Sequence, residues 1–261
     1  MYATHFFENQ ILNVLRNVTL TGYSNLHIGL FMNNPTNTGT AGLEVNYTGY
    51  ERLPITFTPP FEESGGMAIR NTTDILWETA PQDVGNVHHI GIFDSPVIGA
   101  GNMLLYGELT IPLNIRSGQQ PAIYTGDILY ILQGDTTRYF KTAVLNVLRN
   151  QTLAGFQPHL ALFDGDPELS GLELSGPSYA RPQISFGDRT IEVGGQSRIA
   201  NNALVRFNSP TDTWGDWNWD GLLDAATGGN LIFKFQNPIP ETIHRNYVAQ
   251  VFIGEYMLEV N

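Results

Sequence analysis

The chain has 261 residues, a formal net charge of −12 and no cysteine, which excludes disulfides, zinc–thiolate sites and cysteine nucleophiles. Its 13 basic residues are few and scattered, and this argues against nucleic acid as a partner. Because no apolar run approaches the ~20 residues of a membrane span and the N-terminus lacks a signal-peptide pattern, we expect a soluble protein with no membrane partner.

An amphipathic helix is predicted close to the N-terminus. Phe7, Ile11 and Val14 recur at helical spacing, and Thr4 precedes them as a candidate N-cap. Gly22 follows as a turn residue. The hydrophobic period then changes to two, with Gly, Pro, Asn and Asp between the apolar runs. This pattern predicts strands at residues 26–31, 52–57, 69–77, 88–93, 103–109 and 126–132.

A second helix with the same pattern is predicted in the middle of the chain. Phe140, Val144 and Val147 recur at helical spacing behind Thr136 and Thr137. The junction before this helix has no Ser/Gly-rich or Pro-rich linker. We therefore expect the parts on either side to be joined tightly.

The two helices belong to a repeat that runs through the whole chain. Residues 145–155 are identical to residues 12–22 at nine of eleven positions. Further matches follow in the same order: 27–31 with 159–163, 43–45 with 172–174, 85–94 with 215–224, 101–104 with 229–232, and 111–112 with 239–240. The sequence is therefore a tandem duplication. We expect two homologous domains, at residues 1–134 and 135–261.

Each repeat has the pattern of a small, mainly β domain. About six short strands at this spacing are typical of a sandwich or jelly roll. One helix cannot cover both faces of a sheet, so we expect it to cover an open end or edge. The predicted fold is two tandem β-sandwich or jelly-roll-like domains, each with an N-terminal α-helix.

Three tryptophans in the second repeat are the strongest candidates for a binding surface. Trp214, Trp217 and Trp219 alternate with aspartates and an asparagine. Aromatic rings beside acids and amides hold sugars by stacking and hydrogen bonding. Strand alternation would place Trp217 and Trp219 on one face, which also fits packing in a core or a subunit interface. Packing or an interface is the favoured interpretation, and glycan contact is the alternative.

Two other groups of residues have side chains that could bind a metal ion. Asp164, Asp166 and Glu168 lie in a turn that could offer oxygens to calcium, but further ligands at suitable spacing are missing. His88 and His89 are neighbours on a predicted strand, where side chains point to opposite faces. We expect an ordinary acidic turn, packed histidines and no bound metal or cofactor.

The sequence offers no pattern of a catalytic centre. Glu62 and Glu63 are adjacent acids without a counterpart in the second repeat. The turn at Ser178 precedes a tyrosine and lacks the spacing of a nucleophile elbow, and no phosphate-binding loop or zinc-protease motif occurs. We therefore expect a protein that is not an enzyme.

The order of several motifs resembles a known family. A Leu-Ala-Leu-Phe strand with an Asp-Pro turn occupies 160–167, and a Gly-Pro-Ser-Tyr-Ala-Arg segment occupies 176–181. A Trp-Gly strand follows at 213–215, and an Asp-Ala-Ala-Thr-Gly-Gly-Asn loop at 224–230. This order resembles small structural proteins of tailed bacteriophages, described as tail-fibre-like or virion proteins, and the chain is similar to a doubled version.

The resemblance implies a virion component with no catalytic residues. It predicts a structural protein, associated with the tail or a tail fibre or decorating the capsid, that acts by protein–protein assembly. The expected partners are other virion proteins and further copies of the chain, as a trimer or hexamer assembled in the host cytoplasm. The alternative is an adhesin that binds host-surface glycans.

Overall fold

The chain folds mainly into short strands, with one helix near the start of each half. A computed structural model describes residues 1–191 and 197–260. The described elements of the first half are α1 (His5–Val14), β1 (Tyr2–Ala3), β2 (His27–Phe31), β3 (Leu53–Pro54), β4 (Phe61–Glu63), β5 (Gly66–Arg70), β6 (Ile75–Leu76), β7 (Gly85–Phe93), β8 (Met103–Ile115), β9 (Ala122–Ile123) and β10 (Leu129–Leu132). Those of the second half are α2 (Arg138–Val147), β11 (His159–Phe163), β12 (Thr190–Ile191), β13 (Ser197–Ala200), β14 (Val205–Arg206), β15 (Gly215–Leu223), β16 (Leu231–Ile243), β17 (Gln250–Val251) and β18 (Met257–Val260).

Each helix begins after a threonine cap. Thr4 has an extended backbone, and its Oγ1 accepts a hydrogen bond from the N–H of Phe7 at 3.4 Å. Thr137 accepts in the same way from the N–H of Phe140 at 3.3 Å. Both hydroxyls also donate to the first carbonyl of the long strand β8 or β16, at 2.6 and 2.5 Å. The caps therefore fix the start of each helix and tie it to the main sheet of its own half.

The sheets are antiparallel and open. The main sheet has the order β1–β8–β7–β2–β3 in the first half and β11–β15–β16 in the second. A smaller sheet has the order β10–β5–β4 in the first half and β12–β13–β18 in the second, and two-stranded pairs join β6 to β9 and β14 to β17. The prediction of a mainly β chain with two sandwich-like repeats is confirmed.

The third predicted strand is interrupted at a buried asparagine. Asn71 is 1% exposed, and its amide donates to the carbonyl of Tyr124 at 2.9 Å while its Oδ1 accepts from the N–H of Ile128 at 2.9 Å. Asn201 bonds equivalently to Phe252 and Tyr256 in the second half. Because the asparagine holds a neighbouring loop, the chain turns here and β5 and β6 are separate strands.

The two halves share one hydrophobic core. A single cluster of buried side chains includes Phe7 and Ile11 of α1 together with Phe140 and Val144 of α2. Helix α1 contacts β8 of its own half and also β13 and β18 of the second half. Helix α2 contacts β16 of its own half and β5 of the first half. Each helix therefore lies between its own main sheet and the smaller sheet of the other half.

Matched contacts relate the halves by an approximate two-fold axis. Leu20 and Leu153, which are equivalent in the repeat, exchange two backbone hydrogen bonds of 2.9 Å each. Other hydrogen bonds between the halves come in equivalent pairs. The N–H of Gly22 donates to Thr152 Oγ1, and the N–H of Gly155 donates to Thr19 Oγ1. Likewise, the N–H of Tyr23 donates to the carbonyl of Val147, and the N–H of Phe156 donates to the carbonyl of Val14. Asn17 and Asn150, three residues beyond the ends of the two helices, both have a left-handed backbone, with φ of 63° and 64°. The repeated glycines Gly22 and Gly155 permit close approach of the halves, because a Cβ at either position would collide with the backbone of the other half.

Candidate interaction site

Trp214 is a packed residue. Its side chain is 5% exposed, its indole N–H donates to the carbonyl of Pro177 at 3.0 Å, and its ring stands edge-on to Tyr179 with centroids 5.1 Å apart. These contacts fix the segment around Ser178 against the strands. The ring has no free face that a sugar could use.

Trp217 and Trp219 do not share a surface, and the expectation that they lie on one face is wrong. Trp217 pairs with Glu241 and Trp219 with Gln236, so four residues of β16 bulge out between the two pairs. Trp217 packs against the main core and donates its N–H to Asp220 at 2.8 Å. Trp219 packs against a smaller, separate cluster. The bulge therefore separates the two rings.

A lysine supplies the positive charge at the acidic turn. The Nζ of Lys234 lies 2.7 Å from Asp166 Oδ2 and 3.2 Å from Glu168 Oε2, and 5.6 Å from the centroid of the Trp219 ring. Asp164 Oδ1 accepts a hydrogen bond from the N–H of Leu172 at 2.6 Å. The three acids considered as calcium ligands are thus engaged with protein donors.

The histidine and glutamate pairs lie in different surroundings. Burial lowers the pKa of His89, which is paired across the sheet with Phe31. Glu62 forms an ion pair with Arg138 of the second half at 2.7 Å. Within residues 1–191 and 197–260, no group of three or more His, Asp or Glu side chains is placed to hold a metal ion.

A buried arginine organises one end of the main sheet in the first half. Arg52 makes two parallel hydrogen bonds of 2.8 Å to Glu44, and its third nitrogen donates to the carbonyl of Ala100 at 2.9 Å. Tyr50 donates to Glu44 at 3.4 Å and accepts from the N–H of Leu30 at 2.8 Å. We call Tyr50, Glu44 and Arg52 the first clamp. It joins strand β2 to the loop after β7.

The second half repeats this arrangement. Arg181 binds both carboxylate oxygens of Glu173, at 2.7 and 2.5 Å, and donates to the carbonyl of Gly228 at 2.6 Å. Tyr179 donates to Glu173 at 3.0 Å and accepts from the N–H of Leu162 at 3.1 Å. Tyr179, Glu173 and Arg181 form the second clamp. The same three side-chain types thus make the same bonds in both repeats.

Each clamp holds the loop that connects the two long strands. These tip loops are residues 94–102 and 224–230. In the first, Asp94 accepts from the backbone and side-chain nitrogens of Asn102 at 2.6 and 2.8 Å. In the second, Asp224 accepts from the same two nitrogens of Asn230 at 2.7 and 2.8 Å. An aspartate–asparagine bracket therefore closes the base of each loop, and an arginine anchors its carbonyls.

The clamps are desolvated and held by hydrogen bonds to charged groups. The hydrogen bond to Glu173 raises the pKa of Arg181, and burial raises the pKa of Tyr179. Because the Arg52 side chain is only 3% exposed and Glu44 only 11%, the pair is strongly desolvated and depends on its bidentate geometry. The tyrosines stay protonated and act as hydrogen-bond donors. The clamps therefore provide rigidity.

The tip loops differ in the side chains they expose. Val97 and Ile98 are 58% and 44% exposed at the first tip. The second tip is two residues shorter and exposes Ala226 and Thr227. The two frames are alike while their surfaces are not. In the sequence, Glu44 lies in the repeated segment 43–45, and Tyr50 and Arg52 fall near Tyr179 and Arg181 of the second repeat, which is the signal that could have pointed to the clamps.

The comparison with protein families agrees with the repeat. The model of the family described as Podophage GP4 fiber I protein gp80 matches residues 2–130 and again residues 135–259. The chain belongs to this family. The resemblance to tail-fibre proteins of tailed phages is thus confirmed, and membership of a phage fibre family makes the chain a virion component. A search of curated proteins gives no match. Among the described residues, no helix is long and apolar enough to cross a membrane.

Proposed function

We propose that this chain is a tail-fibre component of a podophage and that it binds neighbouring virion proteins through its two tip loops. The observation that supports this most directly is the repeated clamp, which holds an exposed loop in the same frame in both halves. A rigid loop loses little conformational entropy on binding, so it suits a permanent assembly contact. The different side chains at the two tips suit two different neighbours.

The proposal includes the organisation of the chain in the particle. We infer that the repeats at 1–134 and 135–261 enter the virion together, and that the chain forms a trimer or hexamer. Oligomers of a two-repeat chain match the sixfold or quasi-sixfold faces of a virion. Native mass spectrometry of the purified protein measures this directly.

The test measures incorporation into particles. Phage lacking the gene are complemented with wild type, with Val97→Asp/Ile98→Asp, or with Leu169→Asp as a control, since Leu169 is 83% exposed and lies outside both tips. We expect the tip variant to fold normally, by circular dichroism, but to fall about tenfold in purified particles, because two charged side chains would have to be buried in the contact. Normal incorporation of the tip variant would contradict the role of the loop.

The position on the particle and the alternative function need separate measurements. Immunogold labelling of particles should mark the tail fibres, whereas label over the head would support capsid decoration. A glycan array tests the adhesin hypothesis with the same protein. Binding that is lost on Trp217→Ala, together with unchanged incorporation of the tip variant, would favour the adhesin.

A further inference from the structure

The interface between the halves is not symmetric in charge. Glu8 and Lys141 are each the fourth residue after the threonine cap of their helix. Glu8 approaches Ser197 of the second half, and Lys141 approaches Met67 of the first half. Ser197 and Met67 are equivalent, because each lies four residues before the buried asparagine of its own repeat. Two equivalent contacts are thus built from different side chains.

The first contact is polar and hydrogen-bonded. The hydroxyl of Ser197 donates to Glu8 Oε2 at 2.5 Å and accepts from Arg189 Nη1 at 3.0 Å. The same guanidinium nitrogen of Arg189 donates to the backbone carbonyl of His5 at 3.3 Å. Glu8 is 7% exposed and Ser197 is fully buried. The carboxylate on α1 therefore depends on a hydroxyl and a cation of the second half.

The second contact has the opposite charge, and within the described residues the acids that line the groove around it accept no hydrogen bond from the ammonium: Glu62 and Glu63 of the first half and Glu168 of the second. Lys141 is 8% exposed and lines a groove of about 380 Å³ together with Met67. Its Nζ donates to the carbonyl of Gly134 at 2.9 Å. Met67, the equivalent of Ser197, offers no group that could pair with a charge. The ammonium is instead held by the Gly134 carbonyl and by the nearby carboxylates of Asp135 and Glu168.

We infer that these unequal contacts make the first half specific for the second half and disfavour pairing of like halves from two chains. If two first halves met through this interface, Glu8 would face Met67 and lose its hydroxyl and cation. If two second halves met, Lys141 would face Ser197 and the cation of Arg189. A buried charge without a partner strongly opposes an interface, so both like pairings are disfavoured. Pairing of a first half with a second half is therefore the arrangement that keeps both charges satisfied.

The test uses the absence of native cysteine. Leu20 is 4% exposed and faces its equivalent Leu153 across the axis, so like pairing of first halves would bring two copies of residue 20 together. Paired residues of this type have Cα atoms within reach of a disulfide. A full-length Leu20→Cys chain therefore forms an interchain disulfide only when like halves pair. Leu20→Cys/Leu153→Cys is the positive control, because it should cross-link within one chain.

The chains are unfolded in urea, refolded at high concentration in the presence of a reductant, oxidised only after folding is complete, and separated on a non-reducing gel. In the Leu20→Cys background, we expect Glu8→Lys to raise the amount of cross-linked dimer about tenfold. In the native pairing, the new ammonium would be repelled by Arg189. In the pairing of two first halves, it would lie beside Met67, away from that cation. Glu8→Gln, which keeps the hydrogen bond and loses only the charge, should give a smaller rise. Glu51→Lys makes the same charge change at an exposed position and should leave the dimer at the wild-type level.

Two results would overturn the inference. One is an equal amount of cross-linked dimer in the wild-type, Glu8→Gln and Glu8→Lys backgrounds. The other is an equal rise with Glu51→Lys, which would assign the effect to net charge. Association of whole chains through other surfaces does not enter the measurement, because the buried residue 20 is cross-linked only across this interface.

Discussion

Replacing Gly22 by alanine should destabilise both halves, because the added methyl group would collide with the backbone of the other half. A Cβ at Gly22 would lie 2.4 Å from the carbonyl carbon of Asn150, and one at Gly155 would lie 2.4 Å from that of Asn17. Backbone atoms cannot rotate out of the way as side chains do. Overpacking of this kind typically costs about 1–3 kcal/mol, which lowers the Tm of a chain of this size by roughly 2–12 °C.

The measurement is urea unfolding followed by tryptophan fluorescence, which reports on both halves because Trp77 lies in the first and the other three tryptophans in the second. Gly187→Ala is the control, since its Cβ would have no neighbour closer than 3.7 Å. It should be neutral or stabilise by up to about 1 kcal/mol. We expect one transition, shifted to lower urea only in Gly22→Ala and Gly155→Ala. An unshifted midpoint, or loss of the first half alone, would refute a shared interface.

Three further changes test the clamp, a buried acid and the acidic turn. Arg52→Met should lower the free energy of unfolding by about 3–5 kcal/mol in urea denaturation, because Glu44 stays buried without its cation. Burial raises the pKa of Asp220 from 3.8 to about 7, so the stability this carboxyl contributes is complete below its unfolded value and is lost as pH rises through 7. Asp220→Asn should therefore flatten the fall in Tm between about pH 4 and pH 7. Lys234→Met leaves the Asp166 carboxylate beside another acid and should cost about 1 kcal/mol, part of which millimolar Ca²⁺ restores in a thermal melt.

Each of these has a result that would contradict it. A loss below about 1 kcal/mol in Arg52→Met would mean that the clamp is a weak surface pair. An unchanged pH profile in Asp220→Asn would mean that the acid is solvated. If Ca²⁺ does not stabilise Lys234→Met above its level in EDTA, the acidic turn is no cation position even without the lysine.

Local features of the sequence were sufficient for the helices and the repeat. Helical spacing around Phe7 and Phe140, with a threonine before each, predicts an amphipathic helix, because a cap and one apolar face are local properties of the sequence. Both threonine caps are confirmed. The strands were less predictable. Asn71 interrupts an apolar run because its side chain binds a loop more than 50 residues away, and no local pattern reveals that partner.

The tryptophans show a second limit. Alternation predicts a shared face for Trp217 and Trp219, but it assumes that two strands keep one register. The bulge lies in β16, so the sequence of β15 gives no sign of it. It changes the register between the two strands at the position of the tryptophans, and the two rings are therefore separated. The clamp residues were visible as aligned positions, but their bonds join segments that only the folded sheet brings together.

The sequence by itself determined that the chain is doubled, mainly β and built from helix-led repeats, because identity between copies and hydrophobic period are local properties. The tertiary structure decided how the copies meet. The amphipathic pattern predicts that one face of α1 is buried, but it does not predict which sheet covers that face. Only the folded chain shows that each helix packs against the other half, and that Glu8 and Lys141, equivalent in sequence, face unlike partners across the interface.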